Sequence, residues 1–304
     1  MAFRAIMRVI VIIVILLVIA VGALSWIFSS KLAYPPRYRC TDDREHELYV
    51  FCGDPSELGL TFEKVELISS DGLLIRGWYI SAPDSRKAIL FAHGRSAGRW
   101  AAMRYAQALN RNGYALLTFD FRGHGASERS PVTMGYHEKK EIFSALDYLT
   151  HKKGMKSVGI VGFSMGAATA VLAMAEDERI RAGIFESGYA DFADLIAAVA
   201  RRDFNLPRYP VINTVMILYE LRFGLDTDKM NPEDVIGSIS PRPVYIIHGT
   251  DDRSVPPEHA RRLCRAARDP KQIWWVQGGK HVNSWNADRR KAEKSMIDFF
   301  NRYL

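Results

Sequence analysis

Cysteine is scarce, with three in 304 residues, and this excludes a small disulfide-stapled scaffold. No His/Cys spacing resembles a zinc finger, and no cluster of His, Cys, Asp and Glu suggests a metal site. No glycine-rich loop is placed to cradle a phosphate. The arginines are dispersed rather than interleaved with aromatics along a helix, which argues against nucleic acid as a partner. The chain has no internal repeat and no low-complexity tract. The expectation is an enzyme or binding module without cofactor and without metal. The formal net charge of +7 is compatible with an anionic membrane surface or an acidic substrate and establishes neither.

Long apolar runs are also few, and one stands out. Residues 9–28 are almost unbroken Val, Ile, Leu and Ala, with Gly22 and Ser25 as mild interruptions and Trp26 near the end. Twenty such residues match the length a helix needs to cross a hydrocarbon core of about 30 Å. A cleaved signal peptide normally has a shorter apolar core followed by a small-residue cleavage site, whereas this run leads into Trp26-Ile27-Phe28. The run is therefore read as an uncleaved single-pass anchor over residues 1–30 that places the protein at a lipid bilayer. Arg4 and Arg8 lie on one side of it and Lys31, Arg37, Arg39 and Arg44 on the other, so positive charge does not decide orientation. A juxtamembrane segment over 31–60 contains Cys40 and Cys52, while Cys264 sits alone on a predicted helix. A Cys40–Cys52 bridge would fit an oxidising compartment, and two unpaired thiols are the alternative. The combined expectation is that the domain after the anchor lies on the extracytoplasmic side.

Residues 61–304, roughly 240 in number, suit one domain with a single core. Residues 61–80, broken by Ser70-Asp71-Gly72, read as an antiparallel hairpin. Apolar strands then alternate with helical stretches. The strands are expected at 88–92, 115–119, 157–161, 182–185, 244–247 and 272–276, and helices at 100–110, 135–151 and 287–303. This alternation predicts an α/β fold with a mostly parallel central sheet covered by helices on both faces. Over 188–240 the alternation stops, and helical stretches interrupted by Pro207 and Pro210 take its place.

The most informative stretch is Gly162-Phe163-Ser164-Met165-Gly166, which follows an apolar strand and opens the small-residue segment Ala167-Ala168-Thr169-Ala170. A serine at so sharp a strand-to-helix turn is lifted clear of the sheet, and the glycines remove side chains that would collide there. A serine hydroxyl needs a base, and the base needs a group that holds its tautomer. Asp251 and Asp252 follow the strand that ends in His248-Gly249, and His281 follows the next strand, after Gly278-Gly279-Lys280. All would emerge at one edge of a parallel sheet, where open α/β sheets bind ligands.

These motifs, with His93-Gly94-Arg95-Ser96 and Asp120-Phe121-Arg122-Gly123-His124-Gly125-Ala126-Ser127, resemble the α/β-hydrolase family of serine hydrolases from about residue 62 to the end. The resemblance implies an α/β-hydrolase fold with a short helical cap over 188–240. It also implies Ser164 as nucleophile, Asp252 as orienting acid, His281 as base, and an oxyanion hole from the backbone N–H groups of Arg95 and Met165. Asp251 is the competitor for the acid. His93, His124, His248 and Asp120 are expected to be structural. Ile212, Val215, Met216, Leu218 and Tyr219 either line an acyl pocket or form the apolar face of a packed helix. Arg201, Arg202, Arg208 and Arg222 either meet an anion or form a solvated basic face. The expected activity is cleavage of a carboxylic ester or thioester, small to medium in size, with lipid-derived acyl groups suggested by the anchor. A serine peptidase and a catalytically idle binding protein on the same fold are the alternatives.

Overall fold

The computed structural model describes residues 2–36 and 51–304. Cys40 lies outside them, so the expected Cys40–Cys52 pairing does too, as do Arg37, Arg39 and Arg44; Cys264 is a free cysteine. The strands are β1 (Phe62–Ile68), β2 (Leu74–Ile80), β3 (Lys87–Ala92), β4 (Ala115–Phe119), β5 (Ser157–Phe163), β6 (Ile180–Glu186), β7 (Val244–Gly249) and β8 (Lys271–Val276). The helices are α1 (Ala2–Ala33), α2 (Met103–Arg111), α3 (Lys139–Asp147), α4 (Met165–Glu176), α5 (Phe192–Phe204), α6 (Asn213–Phe223), α7 (Pro232–Val235), α8 (Pro257–Ala266), α9 (Ser284–Ala287) and α10 (Arg289–Tyr303).

Strands β3 to β5 are apolar at nearly every position because both faces of the sheet are covered. In β3, Ala88, Leu90 and Ala92 join the core on one face, while Ile89 and Phe91 join the core on the other. The eight strands form one sheet in the order β1-β2-β4-β3-β5-β6-β7-β8. The first hairpin is antiparallel and joins β4 antiparallel, and every pairing from β4 to β8 is parallel. The order reverses around β3, so successive crossovers run to opposite sides of it and leave a crevice at the strands' C-terminal ends.

Helix α10 seals one face with Met296, Phe299 and Phe300, all buried. A Cβ on Gly159 of β5 would run into the Phe300 ring, so the glycine sets how closely helix and sheet approach. The other face is covered by α3, α4 and the segment after β6. Two expected helices are shorter than the sequence suggests: the one over 135–151 is α3 followed by a π turn at Tyr148–Lys152, and the one over 100–110 begins with a 3-10 turn at Arg99–Ala102.

The segment after β6 folds as α5, a kinked π turn over Arg208–Ile212, and α6. Val215, Met216 and Tyr219 point into the core, and the Tyr219 hydroxyl donates to the Val132 carbonyl at 2.7 Å. Helix α1 is long and apolar enough to cross a membrane. Its last turns, however, are built into the domain. Ser25, Ser29 and Ala33 are buried, Ser25 donates to the Val211 carbonyl, and the Val132 N–H donates to the Ala33 carbonyl at 2.8 Å. Arg222 lies over the Trp26 ring at 3.7 Å and donates to Ser29, Ser30 and the Trp26 carbonyl. Its role is thus to fasten α6 to α1.

Phe91 is buried in the middle of the sheet and stacks on Phe163, with ring centroids 6.2 Å apart. Phe91→Ala is expected to cost about 3–5 kcal/mol, read as a lowered urea midpoint with unchanged slope.

Candidate active site

Strand β5 ends at Phe163 and helix α4 begins at Met165, so the chain must reverse over one residue. Ser164 does this with φ 54° and ψ −118°, a conformation that costs a non-glycine residue of order 1–3 kcal/mol. The flanking glycines are a steric requirement. A Cβ on Gly166 would meet the Ala92 carbonyl, and one on Gly162 would meet the Ala167 backbone. The turn is held by the Ser164 N–H donating to the Glu186 carbonyl at 2.8 Å.

The Ser164 hydroxyl lies 2.8 Å from His281 Nε2, and His281 Nδ1 lies 2.7 Å from Asp252 Oδ2. The loops after β5, β7 and β8 therefore converge at the expected edge. The other oxygen of Asp252 accepts the N–H groups of Ser254 and Val255, both at 2.9 Å. Burial alone would raise the Asp252 pKa, but the His281 hydrogen bond and charge, the Val255 N–H and His248 together hold it below its ordinary value. Asp251 is exposed and does not share this cluster; its N–H donates to the Gly279 carbonyl.

His93, His124 and His248 are framework groups. His248 Nε2 donates to the Val255 carbonyl at 2.9 Å, and burial lowers its pKa. His93 donates from Nδ1 to the Gly94 carbonyl and accepts the Phe121 N–H at Nε2, and burial lowers its pKa to about 4. His124 donates to the Arg122 carbonyl and accepts the Ser96 N–H, with its pKa lowered by burial to about 3. Two neutral imidazoles thus pin both ends of the loop that carries Arg95. Asp120 completes this corner by accepting the N–H groups of Arg99 and Ala126.

Three site residues carry no recognisable sequence signal. Glu186 and Ser187 follow one another at the end of β6, where Glu186 accepts the Ser284 N–H at 2.9 Å and the Ser187 hydroxyl accepts the Val282 N–H at 3.1 Å. They fasten the loop that presents His281. Arg104 lies over the Phe163 ring at 5.2 Å and donates to the Val282 carbonyl.

A family model described as alpha/beta hydrolase fold matches residues 87–211. The structure superposes on the esterase Pf2001 of Pyrococcus furiosus with a TM-score of 0.72 and 24% identity, covering 90% of this chain and 99% of that one. The chain has the α/β-hydrolase fold. Its sequence is similar to the uncharacterized protein YqkD of Bacillus subtilis, 26% identical over 299 residues and 94% of each chain. It is also similar to the alpha/beta hydrolase domain-containing protein WAV2 of Arabidopsis thaliana, 29% identical over 82% of each.

In this α/β-hydrolase fold a cavity of about 70 Å³ opens beside Ser164 and His281, with Gly94, Arg95, Trp100, Phe163 and Val282 among its walls. Its lining contains none of Ile212, Val215, Met216, Leu218 and Tyr219, because α6 turns its apolar face into the core and against α1. Of the two readings of those residues, the packed helix is the one observed. Arg202 and Arg208 are paired with Asp203 and Asp194.

Because the folded-state pKa of Asp252 lies below 3.8, its ionised form contributes stability that is fully present above about pH 4 and is lost as pH falls through the lowered value. Asp252→Asn lacks that contribution. The Tm gap between wild type and variant is expected to narrow on acidification below about pH 4; a constant gap would show that the carboxylate charge is not what stabilises this corner.

Proposed function

We propose that this protein is a serine hydrolase that cleaves carboxylic ester or thioester bonds, with Ser164 as nucleophile, His281 as base and Asp252 as the group that orients it. The observation that carries this reading is the unbroken hydrogen-bond chain Ser164–His281–Asp252, with Ser164 on a strained positive-φ turn at the mouth of a cavity. A half-buried polar chain of this kind, opening on a cavity, serves no packing need.

In the proposed reaction His281 Nε2 takes the proton from the Ser164 hydroxyl as Oγ bonds to the acyl carbon. Asp252, ionised and fastened by two backbone N–H groups, stabilises the imidazolium and keeps Nδ1 as a donor. His281 then returns the proton to the departing alcohol or thiol, and the acyl-enzyme is hydrolysed by water through the reverse proton transfers. The developing oxyanion is assigned to the backbone N–H groups of Met165, in the first turn of α4, and Arg95. Gly94 supports the second assignment, since its Cβ position lies 3.2 Å from the Ser164 Cβ and brings that loop alongside the nucleophile. The apolar walls from Trp100, Phe163 and Val282 suit an acyl group, and the cavity volume favours a short one. The fold similarity to an esterase supports the same class of chemistry.

Helix α1 is proposed as a retained anchor. The burial of Ser25, Ser29 and Ala33 against the domain supports retention, because cleavage beyond α1 would strip those contacts.

A fluorophosphonate probe is expected to label the wild type at Ser164 and to leave Ser164→Ala unlabelled. Ester hydrolysis by Ser164→Ala should fall by about 10⁴-fold or more with Tm retained, and the wild-type rate should vary with acyl chain length. A folded wild type that resists the probe, or a variant that keeps its turnover, would overturn the reading.

A further inference from the structure

Among the described residues after α1, six large apolar or aromatic side chains stand exposed, and four of them, Phe204, Tyr209, Ile217 and Leu221, belong to the segment over α5 and α6. The corner between these helices is nearly all exposed from Arg201 to Pro210, with only Leu206 half-buried. A water-facing corner rarely gathers such side chains, and a contiguous apolar patch marks an interaction surface.

Its position relative to α1 identifies the partner. The apolar run ends at Phe28, which at about 1.5 Å per residue is roughly 30 Å from residue 9 and so spans one hydrocarbon core. Phe204 packs edge-on against Phe28, with ring centroids 5.0 Å apart, and Ser25 reaches the Val211 carbonyl at 3.4 Å. The corner is thus level with the last apolar turns of α1, at the depth where hydrocarbon gives way to headgroups. Amphipathic aromatics such as Tyr209 and Trp26, both exposed, favour that depth. The charge also fits. Arg201, Arg202 and Arg208 stand exposed on the corner, with Arg202 ion-paired to Asp203 and Arg208 to Asp194, and the Lys31 ammonium stands 6.0 Å from both the Phe28 and Phe204 rings. Apolar tips flanked by cations suit an anionic lipid surface.

We propose that the α5–α6 corner, led by Phe204 and Tyr209, is a bilayer-docking surface that sits in the headgroup layer beside α1. The domain is then held against the membrane face at two points rather than hanging from the helix alone. The packing of α6 along α1 makes the two points one rigid unit, since Arg222 and Ser25 bind them together. The proposal rests on α1 spanning a membrane and is independent of the chemistry at Ser164.

The test uses the full chain with Cys40, Cys52 and Cys264 each replaced by Ser, so that the introduced cysteine is the sole labelling site, reconstituted in vesicles of phosphatidylcholine and phosphatidylglycerol containing nitroxide-labelled lipid. An environment-sensitive fluorophore is attached in turn at Tyr209→Cys, at Val18→Cys within α1, and at Arg290→Cys on α10, which packs on the opposite face of the sheet. Headgroup nitroxide is expected to quench roughly half of the emission at position 209 and to leave position 290 unchanged, while acyl-chain nitroxide quenches position 18. A probe at Phe204→Cys, whose side chain contacts Phe28, provides a second reading should the Tyr209 variant fail to fold. Quenching at 18 without quenching at 209 or 204 would overturn the docking surface and leave the span intact. Absence of quenching at 18 would overturn the span, and the docking proposal with it. Neither result depends on catalysis, so failure of the hydrolase reading remains a separate outcome in the fluorophosphonate experiment.

Discussion

The positive φ of Ser164 is the constraint on which the rest of the site depends. A side chain in that conformation is unfavourable by itself, so the surroundings must over-determine it. Strand β5 is paired on both sides, α4 is buried along nearly its whole length, and the Ser164 N–H is tied to the end of β6. The two glycines let strand and helix close to a distance that no β-carbon would permit. The consequence is a hydroxyl held at a fixed height above the sheet edge, where a histidine from β8 can meet it without any movement of either loop.

The same economy governs the neighbouring loops. His93 and His124 are buried and kept neutral, and each gives one hydrogen bond and takes another from a backbone group. A charged imidazole in either place would be costly in so dry a pocket, and an aliphatic side chain would leave backbone N–H groups unpaired. The polar interior is therefore spent on holding the Arg95 loop and the His281 loop to the same edge of the sheet. Glu186 and Ser187 do the equivalent work from β6.

Helix α1 extends this logic to the periphery. Its last turns belong to the core although the helix is long and apolar enough to cross a membrane, with small residues at Ser25, Ser29 and Ala33 that allow close approach to α6. The Arg95 guanidinium donates to the Lys31 carbonyl at the end of α1, so the helix reaches the very loop that borders the nucleophile. Helix α1 and the Ser164 edge of the sheet are thus mechanically continuous.

Much of this was legible in the sequence because it rests on local physics. Period and apolar content mark strands buried on both faces, Gly-x-Ser-x-Gly between a strand and a small-residue helix marks a turn that needs glycine, and twenty apolar residues mark a helix of membrane length. The placing of Ser164, Asp252 and His281 at the ends of β5, β7 and β8 puts them on one edge of a parallel sheet, and the resemblance to α/β-hydrolases supplied their expected roles. What the sequence could not decide depends on groups distant along the chain. Glu186 and Ser187 look like any polar pair at a strand end until the His281 loop is laid over them. Ile212 and, on α6, Val215, Met216, Leu218 and Tyr219 are compatible with a pocket or a core until α1 occupies the face beside them. Arg222 reads as surface charge until Trp26 lies beneath it. By itself the sequence determined the fold class and the site's candidate residues, because turns, periodicity and topology are set by neighbours in the chain. Only the tertiary structure decided which side chains face the cavity and that α1 belongs to the domain, because those outcomes depend on which surfaces remain to be buried once the sheet has formed.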